Sequence, residues 1–203
     1  MFLLRNLAAA AALMAGTAFA QPVVTNGVKF DEAMDLRGTK LVLNGAGTRF
    51  RGPFKVYAAG FYLTKKVGTS EEVLAVPGPK RISVTMLREI DSSELGKLFA
   101  RSIEDNMDRA AFSKLIPGVM RMSQVFTDHK KMAAGEVFTI DWVPGTGAIL
   151  TVKGAVQGEP FKEPEFFNAL MRIWVGPKPA DASLKSALLG KAAQASNPGQ
   201  PTN

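Results

Sequence analysis

The chain contains no cysteine and a single histidine, His129. Without thiols there is no disulfide framework, no thiolate nucleophile and no cysteine metal site. One histidine supports neither a multi-histidine metal centre nor a Ser-His-Asp triad, and His129 lies in the polar stretch FTDHKKM, which reads as an exposed connection. Tyrosine is nearly as scarce, with only Tyr57 and Tyr62. The glycine-rich GAGTR lacks the Gly-Lys-Ser/Thr ending of a phosphate loop, and no long helix follows it. Glu89, Asp91 and Glu94 are close in sequence, but Asp91 and Glu94 resemble a helix capping box rather than a glycosidase carboxylate pair. Neither a metal nor a cofactor is expected.

What is present begins with an export signal. MFLLRNLAAAAALMAGTAFA has one positive charge, Arg5, a short apolar core and an A-x-A-like end at Ala18-Phe19-Ala20. The apolar stretch is shorter than the roughly 20 residues of a membrane span. Residues 1–20 are therefore read as a cleavable signal, with a mature chain from Gln21 located in the periplasm or outside the cell. No later apolar run is long enough to span a bilayer. The formal net charge is +7, but the basic residues are scattered and Lys65-Lys66 and Lys130-Lys131 read as solvated surface. No nucleic-acid partner is expected.

The rest of the chain fits one domain, 21–190, followed by the coreless tail KAAQASNPGQPTN, whose residues 191–203 are expected to be disordered. Residues 21–29 read as an irregular lead-in. KFDEAMDL and KLVLN are strand-like around an Arg37-Gly38 turn, and Gly45-Ala46-Gly47 reads as a second turn. FKVYAAGFYL is apolar on both alternating faces, as a strand covered on both sides would be. SEEVLAV is a short helix and KRISVTML a strand. DSSELGKLFARSIEDNM places Leu95, Leu98, Phe99, Ile103 and Met107 on one helical face. More helix follows over 109–127, broken around Pro117-Gly118. EVFTIDW, PGTG and AILTVKG form a hairpin, and EPEFFNALMRIWV and DASLKSALLG are helices. Strands early and late with a helical block between predict an α+β fold, an antiparallel sheet with helices on one face.

Arg49, Arg51, Tyr57 and Tyr62 are the candidate ligand-binding residues, with Ala58, Ala59 and Gly60 as small neighbours. A guanidinium grips a carboxylate with two parallel hydrogen bonds, and a phenol adds a neutral donor. Small strand residues leave room above a sheet for an apolar tail. The same residues also fit solvent-facing arginines and a closely packed helix. Gly52-Pro53 breaks the alternation, so periodicity does not say which arginine points with Tyr57.

LNGAGTRFRGPFKVYAAGFYL, DWVPGTGAILTVKG, FFNALMRIWVGPKPADASLKSALLG and SSELGKLFARSIEDNM, in that family's order, resemble the exported bacterial branch of the chalcone isomerase-like superfamily. The resemblance runs from about residue 27 to 190. It implies an open-faced β-sandwich, a large antiparallel sheet covered by a layer of helices with a ligand cleft between. The family includes enzymes that close a chalcone into a flavanone and non-catalytic members that bind fatty acids. The arginine of its GAGxR motif, which orients substrate or holds the carboxylate, corresponds to Arg49. Tyr57 stands where the enzymes carry a threonine, and Glu94 stands near where they place a catalytic-site tyrosine. The resemblance thus implies a non-catalytic binding protein for a small anionic or amphipathic ligand, with no catalytic residue assigned. The alternatives are an intramolecular lyase of the chalcone isomerase type and an interaction protein with a vestigial cleft.

Overall fold

A computed structural model describes residues 22–191. The signal and nearly all of the tail expected from sequence lie outside the described residues. Strands β1 (Val23–Thr25), β2 (Val28–Phe30), β3 (Ala33–Leu36), β4 (Thr39–Arg51) and β5 (Phe54–Leu63) come first. Helix α1 (Ser70–Ala75), β6 (Lys80–Met86) and β7 (Ile90–Asp91) lead to the helical block α2 (Ser92–Asp105) and α3 (Arg109–Asp128). The chain ends through β8 (Lys131–Met132), β9 (Val137–Val143), β10 (Gly147–Val152), β11 (Ala155–Val156), α4 (Pro164–Val175) and α5 (Ala182–Leu188). Seven strands form one sheet in the order β11-β10-β9-β6-β5-β4-β3, and every pairing in it is antiparallel. The α+β architecture read from the sequence is the one observed.

Each face of the sheet has its own core. On one face, Tyr57, Ala59, Phe61 and Leu63 of β5 pack with Ile82, Val84, Phe138 and Ile140 beneath the helices. On the other, Ala58 and Tyr62 pack with Phe30, Leu36, Leu41 and Leu43 from the N-terminal segment. This is why β5 is apolar in both alternating sets. β6 lies beyond that cover and alternates strictly, with Ile82 and Val84 buried and Ser83 and Thr85 half exposed. Asp91 caps α2 by accepting the Ser93 and Glu94 N–H groups, whereas Glu94 does not reach back and pairs with Lys97 instead. Only half of a capping box is present.

Four local expectations are corrected. Residues 23–30 form the β1–β2 hairpin rather than an irregular lead-in. KFDEAMDL is divided between β2 and β3. Pro117 lies inside a continuous α3, where Leu115, Val119, Met122 and Phe126 are buried on either side of it. Packing of that stripe outweighs the hydrogen bond that proline removes. Gly45-Ala46-Gly47 is no turn but the middle of β4. A Cβ at Gly45 would collide with the Ala187 carbonyl oxygen, and one at Gly47 would stand 2.7 Å from the Ala187 Cβ. These glycines let α5 lie directly on the strand.

Candidate functional site

Arg49 and Tyr57 are direct cross-strand partners between β4 and β5. Opposed residues project from the same face of an antiparallel pair, so both point beneath the helices. The ambiguity left by Gly52-Pro53 resolves through a register shift between Arg49 and Phe50. Arg51 instead closes the hairpin opposite Phe54 and is exposed. Tyr62 pairs with Leu43 and Arg81 and is buried in the core of the opposite face. Of the four candidates, the fold brings together Arg49 and Tyr57 and leaves Arg51 at the tip and Tyr62 across the sheet.

The Arg49 guanidinium carbon lies 5.6 Å from the centroid of the Tyr57 ring. Its Nε is buried and has no hydrogen-bond partner. The ion pairs among the described residues do not include Arg49. Asp181, the acid that acts on Tyr57 through its charge, is engaged elsewhere. One of its oxygens accepts the Phe50 N–H at 2.8 Å and the other caps α5 through the Ser183 and Leu184 N–H groups. Burial alone would raise the Asp181 carboxyl, but the bonds from the Ser183 hydroxyl and the Phe50, Leu184 and Ser183 N–H groups hold it below the usual range. Two other buried or half-buried cations are provided for. Arg81 grips Asp141 with two parallel bonds, and Lys80 donates to the Leu74 carbonyl at 3.1 Å.

Tyr57 is fully buried and its hydroxyl accepts the Trp174 Nε1–H at 2.9 Å. Burial pushes the phenol up to about 12, opposed by the Arg49 charge and the Trp174 bond. It is therefore a neutral donor at neutral pH and a poor proton acceptor. Tyr62 is also raised to about 12, first by burial and then by the Asp31 charge. A folded phenol raised above its unfolded value of about 10 adds stability that is complete below pH ~10 and lost as the pH climbs through 12. With only two tyrosines in the chain, absorbance at 295 nm reads this cleanly. Folded protein should show almost no phenolate at pH ~10.5, and unfolding in denaturant at that pH should release both. A folded-state midpoint near 10 would contradict the burial.

The room expected above the sheet is taken. Ala58 and Ala59 are fully buried, Gly45 and Gly47 carry α5, and Gly60 carries the Phe30 ring on the opposite face. Beside Tyr57, the Trp174 ring lies edge-on to Phe99 at 5.6 Å, and Phe99 in turn packs on Phe126 and Phe138. Four surface clefts of about 230 to 430 Å³ lie elsewhere, and none has Arg49 or Tyr57 in its wall. Among the described residues no helix is long and apolar enough to cross a membrane. His129, read as an exposed connection, is half-buried at the end of α3 beside Gln157. Trp174 and Asp181 complete the surroundings of Tyr57. The helical pattern of IWV marks Trp174 as a core residue, but nothing in it discloses the bond to Tyr57.

No curated protein matches the sequence. A fatty-acid binding protein of Arabidopsis thaliana has a similar solved structure, with a TM-score of 0.65 and 17% identity over 85% of this chain and 98% of that one. At that identity the likeness concerns the fold. The family model for chalcone isomerase-like proteins matches residues 22–190, covering both strands that carry Arg49 and Tyr57 and the helices above them. The chain belongs to the chalcone isomerase-like family.

Proposed function

We propose that this chain is an exported, non-catalytic binding protein for a small amphipathic carboxylate such as a fatty acid, with Arg49 as the anion anchor and Tyr57 as a supporting donor. The observation that carries the reading is the buried Arg49 Nε, which has no partner in a fold that pairs Arg81 and caps Lys80. An unsatisfied donor on a charged group is costly, and a bidentate carboxylate removes that cost. The similar Arabidopsis structure, a fatty-acid binding protein, supports the same ligand class. A neutral, hydrogen-bonded Tyr57 gives little to acid–base chemistry. At the start of α2, where the family's enzymes resemble one another in carrying a tyrosine, this chain has Asp91, Ser93 and Glu94. Because the interior is closed, the tail enters only when the helix layer parts. α5, seven residues long, lies over β4 at Gly45 and Gly47, so its displacement would open the sheet on the Arg49 face.

The packed rings around Trp174 favour a second reading, an interaction protein whose cleft is closed for good. Native mass spectrometry of protein isolated from its own host addresses export and ligand together: the mature mass should begin at Gln21 and carry an extractable carboxylate. On delipidated protein, titration calorimetry with fatty acids should give at least a tenfold weaker affinity for Arg49→Ala, since one charge-assisted bond contributes about 1.5–3 kcal/mol. Arg49→Lys should also weaken binding because a point charge does not reproduce the fork, whereas Arg51→Ala should change little. Equal affinity in Arg49→Ala would remove the anchor, and no binding by wild type would leave the closed interaction protein.

A further inference from the structure

The β4–β5 hairpin projects an amphipathic tip. Phe50 is 41% exposed and Phe54 is 58% exposed, and Arg51 and Lys55 beside them are also exposed. Arg88, from the loop after β6, lays its guanidinium 5.3 Å from the Phe54 ring centroid. That loop is tied to the hairpin by the Leu87 N–H donating to the Val56 carbonyl at 3.0 Å. None of Arg51, Lys55 and Arg88 takes part in an ion pair among the described residues. The neighbouring acids are occupied: Glu89 by Lys131, and Asp181 by the Phe50 N–H and the start of α5. Gly52 has φ +57°, which with a proline following fits the first position of a two-residue type II′ loop and gives a stiff end.

The arrangement of the tip points to its partner. Phe50 pairs with Lys55, and Arg51 with Phe54. Successive cross-strand pairs project from opposite faces of the ribbon. Each face of the tip therefore carries one aromatic ring and one cation. A folded protein surface covers one face of such a ribbon and leaves the other ring in water. A lipid interface surrounds both. Stable peripheral binding takes two signals, buried apolar area and basic charge, and this tip has both.

We propose that the β4–β5 tip docks the protein on anionic lipid surfaces, with Phe50 and Phe54 entering the headgroup–acyl boundary and Arg51, Lys55 and Arg88 meeting the lipid charges. Docking of this kind brings the Arg49 end of the sheet next to the bilayer. The inference stands on the tip alone and does not depend on what Arg49 holds.

The test is flotation of the full mature protein with phosphatidylcholine vesicles, with and without roughly one-third phosphatidylglycerol. Wild type should bind the anionic vesicles, weakly or not at all the neutral ones, and should be released at about 0.5 M NaCl. Phe50→Ser with Phe54→Ser should lower the partition coefficient at least tenfold. Arg51→Gln, Lys55→Gln and Arg88→Gln together should lower it about a hundredfold, since each basic residue contributes roughly fivefold. Met120→Ser with Val156→Ser removes exposed apolar side chains elsewhere and should leave binding unchanged. A thermal melt confirms that the exposed tip substitutions keep the fold. In a separate measurement, Phe54→Trp should give emission that shifts to the blue and is quenched by shallow brominated lipid. Equal binding by the tip variants, no preference for anionic vesicles, or a tip that instead mediates self-association by sedimentation would each overturn the proposal.

Discussion

Replacing Gly45 by alanine should detach α5 from the sheet and lower stability by about 3 kcal/mol, the upper end of ordinary overpacking costs. For a domain of this length that corresponds to a fall in Tm of roughly 6–12 °C. The added methyl would meet the Ala187 carbonyl oxygen, a backbone atom inside a helical turn that has no rotamer through which to yield. Gly45 does not have a positive φ, so the cost is steric and not conformational. Displacing α5 would also strain the bond from the Asn44 side chain to the Leu188 carbonyl at 2.7 Å and the tie between Asp181 and the Phe50 N–H. Gly68→Ala is the matched control: a Cβ there meets nothing within 4 Å and its φ is not positive, so its Tm should stay near wild type. A Gly45→Ala protein that melts with wild type would show that the helix does not rest on this strand as described.

Elements governed by their own periodicity were legible in the sequence. β6 alternates because one of its faces meets the helices and the other is half exposed, and the β9–β10 hairpin is marked by its Pro144-Gly145-Thr146-Gly147 turn between two apolar runs. The stripe of Leu95, Phe99 and Ile103 marks α2 without reference to the rest of the fold. Where the local signal failed, the cause lay far along the chain. Glycines at 45 and 47 resemble a turn, yet they are set by a helix about 140 residues later. Pro117 resembles a break, yet α3 continues because α2 and α4 bury its stripe, with Gly118 so close to Phe166 that a Cβ would stand 2.9 Å from its ring. The β1–β2 hairpin was missed because three-residue strands carry almost no pattern, although its Asn26-Gly27 turn was in view.

The candidate site was legible only in part, for a similar reason. Alternation could not carry across Gly52-Pro53, and the facing of Arg49 depends on the register shift beside it. The GAGxR resemblance singled out Arg49, and the fold places that residue beneath the helices with Tyr57. Pairing Tyr62 and Arg51 with them rested on nearness in sequence, which a pleated strand undoes within one residue. The room above the sheet was inferred from small side chains, but small side chains equally invite a helix to fill it. Which of the two occurs depends on the volume of Trp174 and α5, more than 110 residues away from Tyr57.

The second large effect should come from Trp174→Ala. Removing the largest fully buried side chain beside Tyr57 should cost about 3–5 kcal/mol and lower Tm by roughly 6–20 °C. Two losses combine. A cavity opens beside Phe99, whose ring packs on Phe126 and Phe138, and the Tyr57 hydroxyl loses the Nε1–H it accepts. Trp174→Phe separates them, since it keeps much of the volume and removes only the donor, and it should cost about 1–2 kcal/mol. The new space would lie beside the phenol that Arg49 faces. If Arg49 anchors a carboxylate, the variant offers the tail the room that wild type fills. A medium-chain fatty acid should then raise the Tm of Trp174→Ala by several degrees more than that of wild type, because a ligand that binds only the folded state stabilises it by mass action. The matching alcohol, which has no charge for Arg49, should restore much less. Adding Arg49→Ala to Trp174→Ala should abolish the difference between acid and alcohol. A variant that melts like wild type would refute the buried Trp174–Tyr57 contact, and equal rescue by acid and alcohol would place the carboxylate away from Arg49.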